Sequence, residues 1–259
     1  MKARSVVFVH GMFVSPLCWE HWITRYQARG RRCHSPAWPG RDQPVETLRR
    51  NHPDSKLGQL ALPDVLEHCA NVIKTLDEKP VLIGHSMGGL IVQLLLQRDL
   101  AVAGIAIDSA PPPGVFTISW PFLKSNWPTI NPFISKHTPY YMPFEHFQYT
   151  FVHTLPLDEQ RAAYARYVVP ESRWVARGPV SLAARVDFVA PRAPLLFIAG
   201  AEDHIIPAAL NANNCVKYDR SAGVTDYKEF PGRTHFIIGQ LGWEEVADYA
   251  LSWLDDKDL

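Results

Sequence analysis

Four stretches of this chain, Val6-Val7-Phe8-Val9, Val81-Leu82-Ile83, Ile105-Ala106-Ile107 and Leu195-Leu196-Phe197-Ile198-Ala199, are unbroken apolar runs too short to be helices. A strand that is apolar on both faces must be covered on both faces. The architecture that does this repeatedly is a parallel sheet with a helix returning the chain after each strand. The pattern predicts strands over 5–9, 32–36, 80–83, 104–107, 194–199 and 226–230. Helices are predicted over 17–29, 61–76, 87–98, 207–214 and 243–254. In the last of these, Trp243, Val246, Ala247, Ala250 and Leu254 recur at helical spacing and form one apolar stripe. The fold class is therefore α/β, with a mostly parallel sheet of about six strands and helices on both faces.

The alternation fails once. Between the fourth and fifth predicted strands the chain runs on for far more residues than one crossover helix needs. Residues 113–178 hold 14 of the 29 aromatic side chains in 66 of 259 residues, and from Gly114 to Phe144 the only charged residues are Lys124 and Lys136. Eight prolines from Pro113 to Pro170 require its helices to be short. We expect 1–112 and 179–259 to form one core domain. The expected role of 113–178 is an aromatic helical lid over an apolar pocket.

Composition narrows the function. Lys plus Arg and Asp plus Glu number 26 each, and no basic stripe carries interleaved aromatics, so nucleic acid is not an expected partner. No apolar run reaches the length of a membrane span, and only a short one follows Met1-Lys2-Ala3-Arg4. The expectation is a cytoplasmic protein, monomer or homodimer, without stable membrane association. Cys18, Cys33, Cys69 and Cys215 show no C-x-x-C spacing and are expected as free thiols. Eleven histidines contain no H-E-x-x-H, so no metal site is expected either.

The chemistry concentrates at Gly84-His85-Ser86-Met87-Gly88, between a predicted strand and a predicted helix. A serine on so tight a turn projects its hydroxyl from the sheet edge, and the flanking glycines remove side chains that would collide there. Such a hydroxyl needs a base, and the base needs a carboxylate to orient it. Loops at the carboxyl ends of parallel strands converge, so the partners belong after the later strands. Asp203, in Gly200-Ala201-Glu202-Asp203-His204, and His235, after the sixth strand, fit the order Ser, acid, His. Glu202 and Asp108 are rival acids, while His10, His85, His137, His146, His153 and His204 are rival bases. Oxyanion donors are expected from the backbone N–H of Met87, at the start of the helix, and of Met12, after His10-Gly11, with Phe13 as second choice. Candidate pocket walls are His10, Phe13, His85, Trp120, Phe122, Trp127, Tyr140, Tyr141, Phe144, Ile205 and Phe236.

With Val7-Phe8-Val9-His10-Gly11-Met12, Gly84-His85-Ser86-Met87-Gly88-Gly89, Gly200-x-x-Asp203-x-x-x-Pro207 and His235 in chain order, the sequence resembles the α/β-hydrolase superfamily over nearly its whole length, specifically the small capped serine esterases and lipase-like enzymes. Few residues precede the first predicted strand here, so the family's usual leading hairpin is expected to be missing, as in the compact plant methylesterase and hydroxynitrile lyase branch. Ser86 departs from the dehalogenases and epoxide hydrolases, which use aspartate there. Phe236 departs from the lyases, which carry lysine after the histidine, and from carbon–carbon hydrolases, which tend to carry tryptophan. The resemblance implies hydrolysis of a small-molecule carboxylic ester with an apolar acyl or aryl group, through an acyl-enzyme on Ser86 and without a cofactor. It leaves open a lactone, thioester or carbon–carbon bond, an acyl acceptor other than water, and a ligand receptor on the same fold.

Overall fold

The computed structural model describes residues 5–259; residues 1–4, the start of the expected core and of the stretch read for a targeting signal, lie outside the described residues. Six strands, β1 (Ser5–Val9), β2 (Arg32–His34), β3 (Val81–His85), β4 (Ala103–Ile107), β5 (Leu195–Gly200) and β6 (Thr225–Phe230), form one sheet in the order β2-β1-β3-β4-β5-β6. Each of the five pairings is parallel. The apolar runs are the central strands β1, β3, β4 and β5, buried along their whole length, while β2 and β6 are partly exposed edges.

Alternation along each strand feeds two cores. Val6 and Phe8 pack with Trp22 and Tyr26 of α1 (Glu20–Gln27) and with Val246 and Ala250 of α10 (Trp243–Asp255). Val7 and Val9 face the opposite layer, with Val65 and Leu66 of α3 (Leu62–Lys74), Leu90 and Ile91 of α4 (Met87–Leu96) and Leu210 of α9 (Ala208–Val216). At about 25 cal/mol per Å² of apolar area removed from water, this double burial is the main stabilising contribution of the fold. All four cysteines are free, Cys18 and Cys69 buried and Cys33 and Cys215 half-buried.

Element ends shift for local reasons. The helix expected over 17–29 begins as a tight turn at Pro16–Trp19 before α1, and the chain then turns at Gly30, whose φ of 79° suits glycine. The strand expected to reach residue 36 stops at His34, short of a proline with no N–H to donate. A helix not anticipated, α2 (Val45–Arg50), is only 6 residues long and starts directly after Pro44, too short for its period to be read.

Between β4 and β5 the chain forms α5 (Trp120–Ile130), α6 (Phe144–Phe151), α7 (Leu157–Tyr167) and α8 (Arg173–Ala176). Pro121, Pro143 and Pro156 stand at helix starts, where a missing N–H is harmless, and Pro128 lies near the end of α5. Two arginines tie these elements together. Arg173 donates to the carbonyls of Pro128, Thr138 and Pro139 at 3.0, 2.7 and 3.0 Å, and Arg177 to those of Thr129, Asn131 and Ile134 at 3.3, 2.8 and 2.7 Å.

The sheet order places the site. From β1 the chain moves outward to β2, then returns to β3 on the other side. The carboxyl ends of β1 and β3 therefore bound a crevice at the reversal of strand order.

Candidate active site

Ser86 follows β3 with φ 58° and ψ −120°, a conformation costing an L-residue on the order of 1–3 kcal/mol. Its surroundings hold it there. The Ser86 N–H donates to the Ile107 carbonyl at 2.9 Å, and the Ser86 carbonyl accepts from Gly89 and Ala110, both at 2.9 Å. The glycines are required by close approach: a Cβ on Gly84 would lie 2.2 Å from the Gly88 carbonyl oxygen, and one on Gly88 only 2.1 Å from that of Val9. Both distances are far inside van der Waals contact, so the elbow packs backbone on backbone.

Three loops converge on this hydroxyl. His235 Nε2 lies 3.0 Å from Ser86 Oγ and His235 Nδ1 lies 2.6 Å from Asp203 Oδ2. The other oxygen, Asp203 Oδ1, accepts the N–H groups of Ile205 and Ile206 at 2.7 and 2.9 Å, which fixes the carboxylate plane. All three side chains are buried. Burial holds the His235 imidazole down at about 3, so it rests neutral, with Nδ1–H donated to Asp203 and Nε2 free to accept from Ser86. The arrangement joins a hydroxyl, a neutral base and an orienting carboxylate.

Asp108, the rival acid, is close by but turned to another task. It is fully buried at the end of β4, its Oδ1 accepts the Gly200 N–H at 2.8 Å, and its Oδ2 is buried without a hydrogen-bond partner. Burial, and then the charge of Asp203, push its carboxyl well above the ordinary range. Burial raises Asp203 too, but the Ile205 and Ile206 N–H groups and the Asp108 contact pull the other way. Of the two buried carboxyls, the interaction raises Asp108 and lowers Asp203, so Asp108 is the one that favours the protonated form. Glu202, the other rival, is exposed.

The loop after β1 supplies the opposite wall. Met12 and Phe13 both line the cavity with Ser86 and Met87. The Phe13 N–H already donates to Glu171 Oε2 at 3.3 Å, and Phe13 has φ 66°. Glu171 was not singled out in the sequence. It is wholly buried, receives the Ser172 N–H at 2.8 Å and faces the buried Arg41 guanidinium at 3.5 Å. Burial raises its carboxyl, while Arg41 and the two N–H donors oppose that rise.

The cavity above Ser86 has a volume of about 430 Å³. Phe13, Phe122 and Ile205 line it, together with Ala110-Pro111-Pro112-Pro113, Ser125, Asn126, Thr129, Met142, Phe151 and Ala176. The proline run could have been found, since it directly follows β4 on the same sheet edge. Other expected wall residues lie elsewhere. His10 is behind the first loop, stacked on Trp38 at 4.5 Å, and His85 supports the base from behind, its Nε2 2.8 Å from the His235 carbonyl. Phe236 packs on Tyr167 at 5.6 Å, Tyr141 and Phe144 on Tyr164 at 6.4 and 5.4 Å, and the Tyr140 hydroxyl bonds His146 at 2.9 Å. Trp120 and Trp127 are on the solvent side of α5.

Among the described residues, His85, Asp108 and His235 bring metal-ligand atom types within 4.8 Å of one another. Both His235 ring nitrogens are engaged, by Ser86 and Asp203, while His85 Nδ1 and Asp108 Oδ2 have no hydrogen-bond partner.

A model of the alpha/beta hydrolase family matches residues 6–249. The chain belongs to that family. Solved structures share the fold over essentially the whole chain. Monoacylglycerol lipase of Paleococcus ferrophilus is 18% identical, with a TM-score of 0.66 over 98% of this chain and 95% of its own. A pyrethroid hydrolase from Sphingobium faniae is 17% identical, TM-score 0.67, over 98% of both chains. Tomato methylketone synthase I is 15% identical, TM-score 0.68, over 100% of both chains. No curated protein matches the sequence. At such identities the neighbours establish fold, and the chemistry must be argued from the site.

Proposed function

We propose that the protein is a serine hydrolase of carboxylic esters carrying an apolar acyl or aryl group. The observation that carries this reading is the unbroken hydrogen-bonded chain Asp203, His235, Ser86 opening on an apolar cavity. Ser86 Oγ attacks the ester carbonyl while His235 Nε2 takes its proton. Asp203 stabilises the imidazolium, and the Met87 and Met12 N–H groups receive the oxyanion. His235 then returns the proton to the leaving alcohol. Water, activated by the same imidazole, releases the acid from the Ser86 ester and restores the hydroxyl. The cycle closes without any redox partner.

Lining by Phe122, Met142, Phe151, Ile205 and the proline run supports an apolar acyl group, and a volume of about 430 Å³ suits a short or medium chain. We assign 113–178 as the lid over this cavity, because Phe122, Ser125, Asn126, Thr129, Met142 and Phe151 form much of its wall.

Initial rates on p-nitrophenyl esters from acetate to palmitate, with Ser86→Ala beside the wild type, test the proposal. We expect an optimum at short or medium chains, and loss of turnover in Ser86→Ala with the melting temperature near that of the wild type. Stoichiometric labelling of Ser86 by a fluorophosphonate without turnover of any ester would instead point to a different scissile bond or acceptor, or to a receptor.

A further inference from the structure

Helix α5 is built inside out. Its cavity side carries Ser125, Asn126 and Thr129 beside Phe122 and Ile130, whereas Trp120, Leu123 and Trp127, spaced three and four residues apart, stand on the side open to solvent. The segments flanking the cavity mouth repeat the pattern. Phe116 is 80% exposed, Ile118 82%, Phe133 91%, Val180 86% and Leu182 88%. Phe116 and Val180 also line the cavity, and Arg177 ties 177–180 to the carbonyls of Asn131 and Ile134, so these residues surround one opening. So many exposed large apolar side chains in the segments that flank one opening are uncommon on a monomeric surface and mark a contact.

Two segments of this face carry charges of one sign. No Asp or Glu occurs in 114–144 or in 172–186, whereas Lys124, Lys136, Arg177 and Arg185 do. The Lys124 and Lys136 ammonium groups rest 3.6 Å above the Tyr149 ring and 3.8 Å above the Trp174 ring, a geometry that anchors the stems and keeps the charge. The whole chain is electrically balanced, so the excess of cations in these two segments is local.

We propose that this rim docks reversibly on a lipid bilayer bearing anionic headgroups, with Trp120, Trp127, Ile118, Phe133 and Leu182 entering the interfacial layer and the cations meeting the headgroups. Indole rings favour that layer, and cations beside it are attracted by its negative potential. A second copy of this chain suits the face less well: a two-fold pairing would set Lys124, Lys136 and Arg185 against their own counterparts, with no carboxylate within the two segments to offset them. Docked in this way, the cavity mouth opens directly onto the lipid phase, and ligand enters without crossing water. The inference concerns delivery to the cavity and does not depend on which bond is cleaved there.

Co-sedimentation of the full-length protein with phosphatidylcholine vesicles, with and without an equal part of phosphatidylglycerol, tests the proposal without any turnover. We expect preferential partition onto the anionic vesicles, weakened by salt, with a blue shift of tryptophan emission. Replacing Lys124 and Lys136 by glutamine lowers that partition roughly fivefold per lysine. The combined Ile118→Ser, Phe133→Ser and Leu182→Ser variant, none of whose positions line the cavity, loses partition at unchanged melting temperature and unchanged hydrolysis of water-soluble p-nitrophenyl acetate. No partition, equal partition onto neutral and anionic vesicles, or retained partition in the triple-serine variant overturns the proposal. So does vesicle-free self-association of the wild type that the triple-serine variant lacks, which assigns the face to a second copy.

Discussion

Lowering the pH should destabilise this protein through a histidine that takes no part in the chemistry. His10 is completely buried behind the first loop; its Nδ1 bonds the Gly11 carbonyl at 2.8 Å, its Nε2 receives the Trp38 N–H at 3.4 Å, and its ring stacks on Trp38. Burial, and to a smaller extent the Arg41 charge, take it from 6.5 to about 3. The sign follows from proton counting. At about pH 5 the unfolded chain protonates His10 and the folded protein does not, so acidification pulls towards the unfolded state. With 1.36 kcal/mol per pH unit, the loss between pH 7 and pH 5 is about 2 kcal/mol from this one ring. His85 and His235 act in the same direction, while the raised carboxyls of Asp108, Asp203 and Glu171 act in the opposite one, so the total slope does not isolate any group. A difference does. His10→Asn keeps a donor for the Gly11 carbonyl and cannot titrate. Urea unfolding of wild type and His10→Asn should show the wild type losing about 2 kcal/mol more than the variant over that pH interval. Parallel stability curves would refute the assignment of His10 as a buried neutral ring.

Further expectations concern the site itself. The acid limb of kcat/KM reports the protonation of His235 in the free protein, so with burial lowering the imidazole the limb should lie below 6.5; a limb above the ordinary histidine position would contradict the burial argument. If Asp108 is the protonated partner of Asp203, Asp108→Asn keeps a neutral donor there and retains near wild-type kcat, whereas Asp108→Leu strands the contact and lowers kcat on the order of tenfold or more, from a bond to a charged group worth about 1.5–3 kcal/mol. Equal loss in both variants would show that an ionised Asp108 is needed. Glu171→Gln leaves Arg41 buried without its countercharge and should cost about 3–5 kcal/mol in chemical unfolding, together with kcat lost through the loosened Phe13 arm.

What could be read in advance, and what could not, follows from the range over which each feature is determined. The elbow was legible because Gly84, Ser86 and Gly88 are demanded by contacts within a few residues of the turn and with the adjacent strand. His235 was legible through topology, since parallel strands send their loops to one edge. The choice between Asp203 and Asp108 is different. Both follow central strands at that edge, both come to rest beside the base, and only the 2.6 Å contact and the two N–H groups on Asp203 separate their roles. The walls were misjudged for a further reason. A dense run of aromatics with few charges implies an inward face, but half of that argument fails in α5, where Trp120 and Trp127 point outward and Ser125, Asn126 and Thr129 point in. The rule that large apolar side chains seek the interior assumes that water is the only alternative. A helix that breaks the rule beside an open cavity, within a segment free of carboxylates, has been shaped against a different neighbour, and the place where the prediction fails is therefore informative about function.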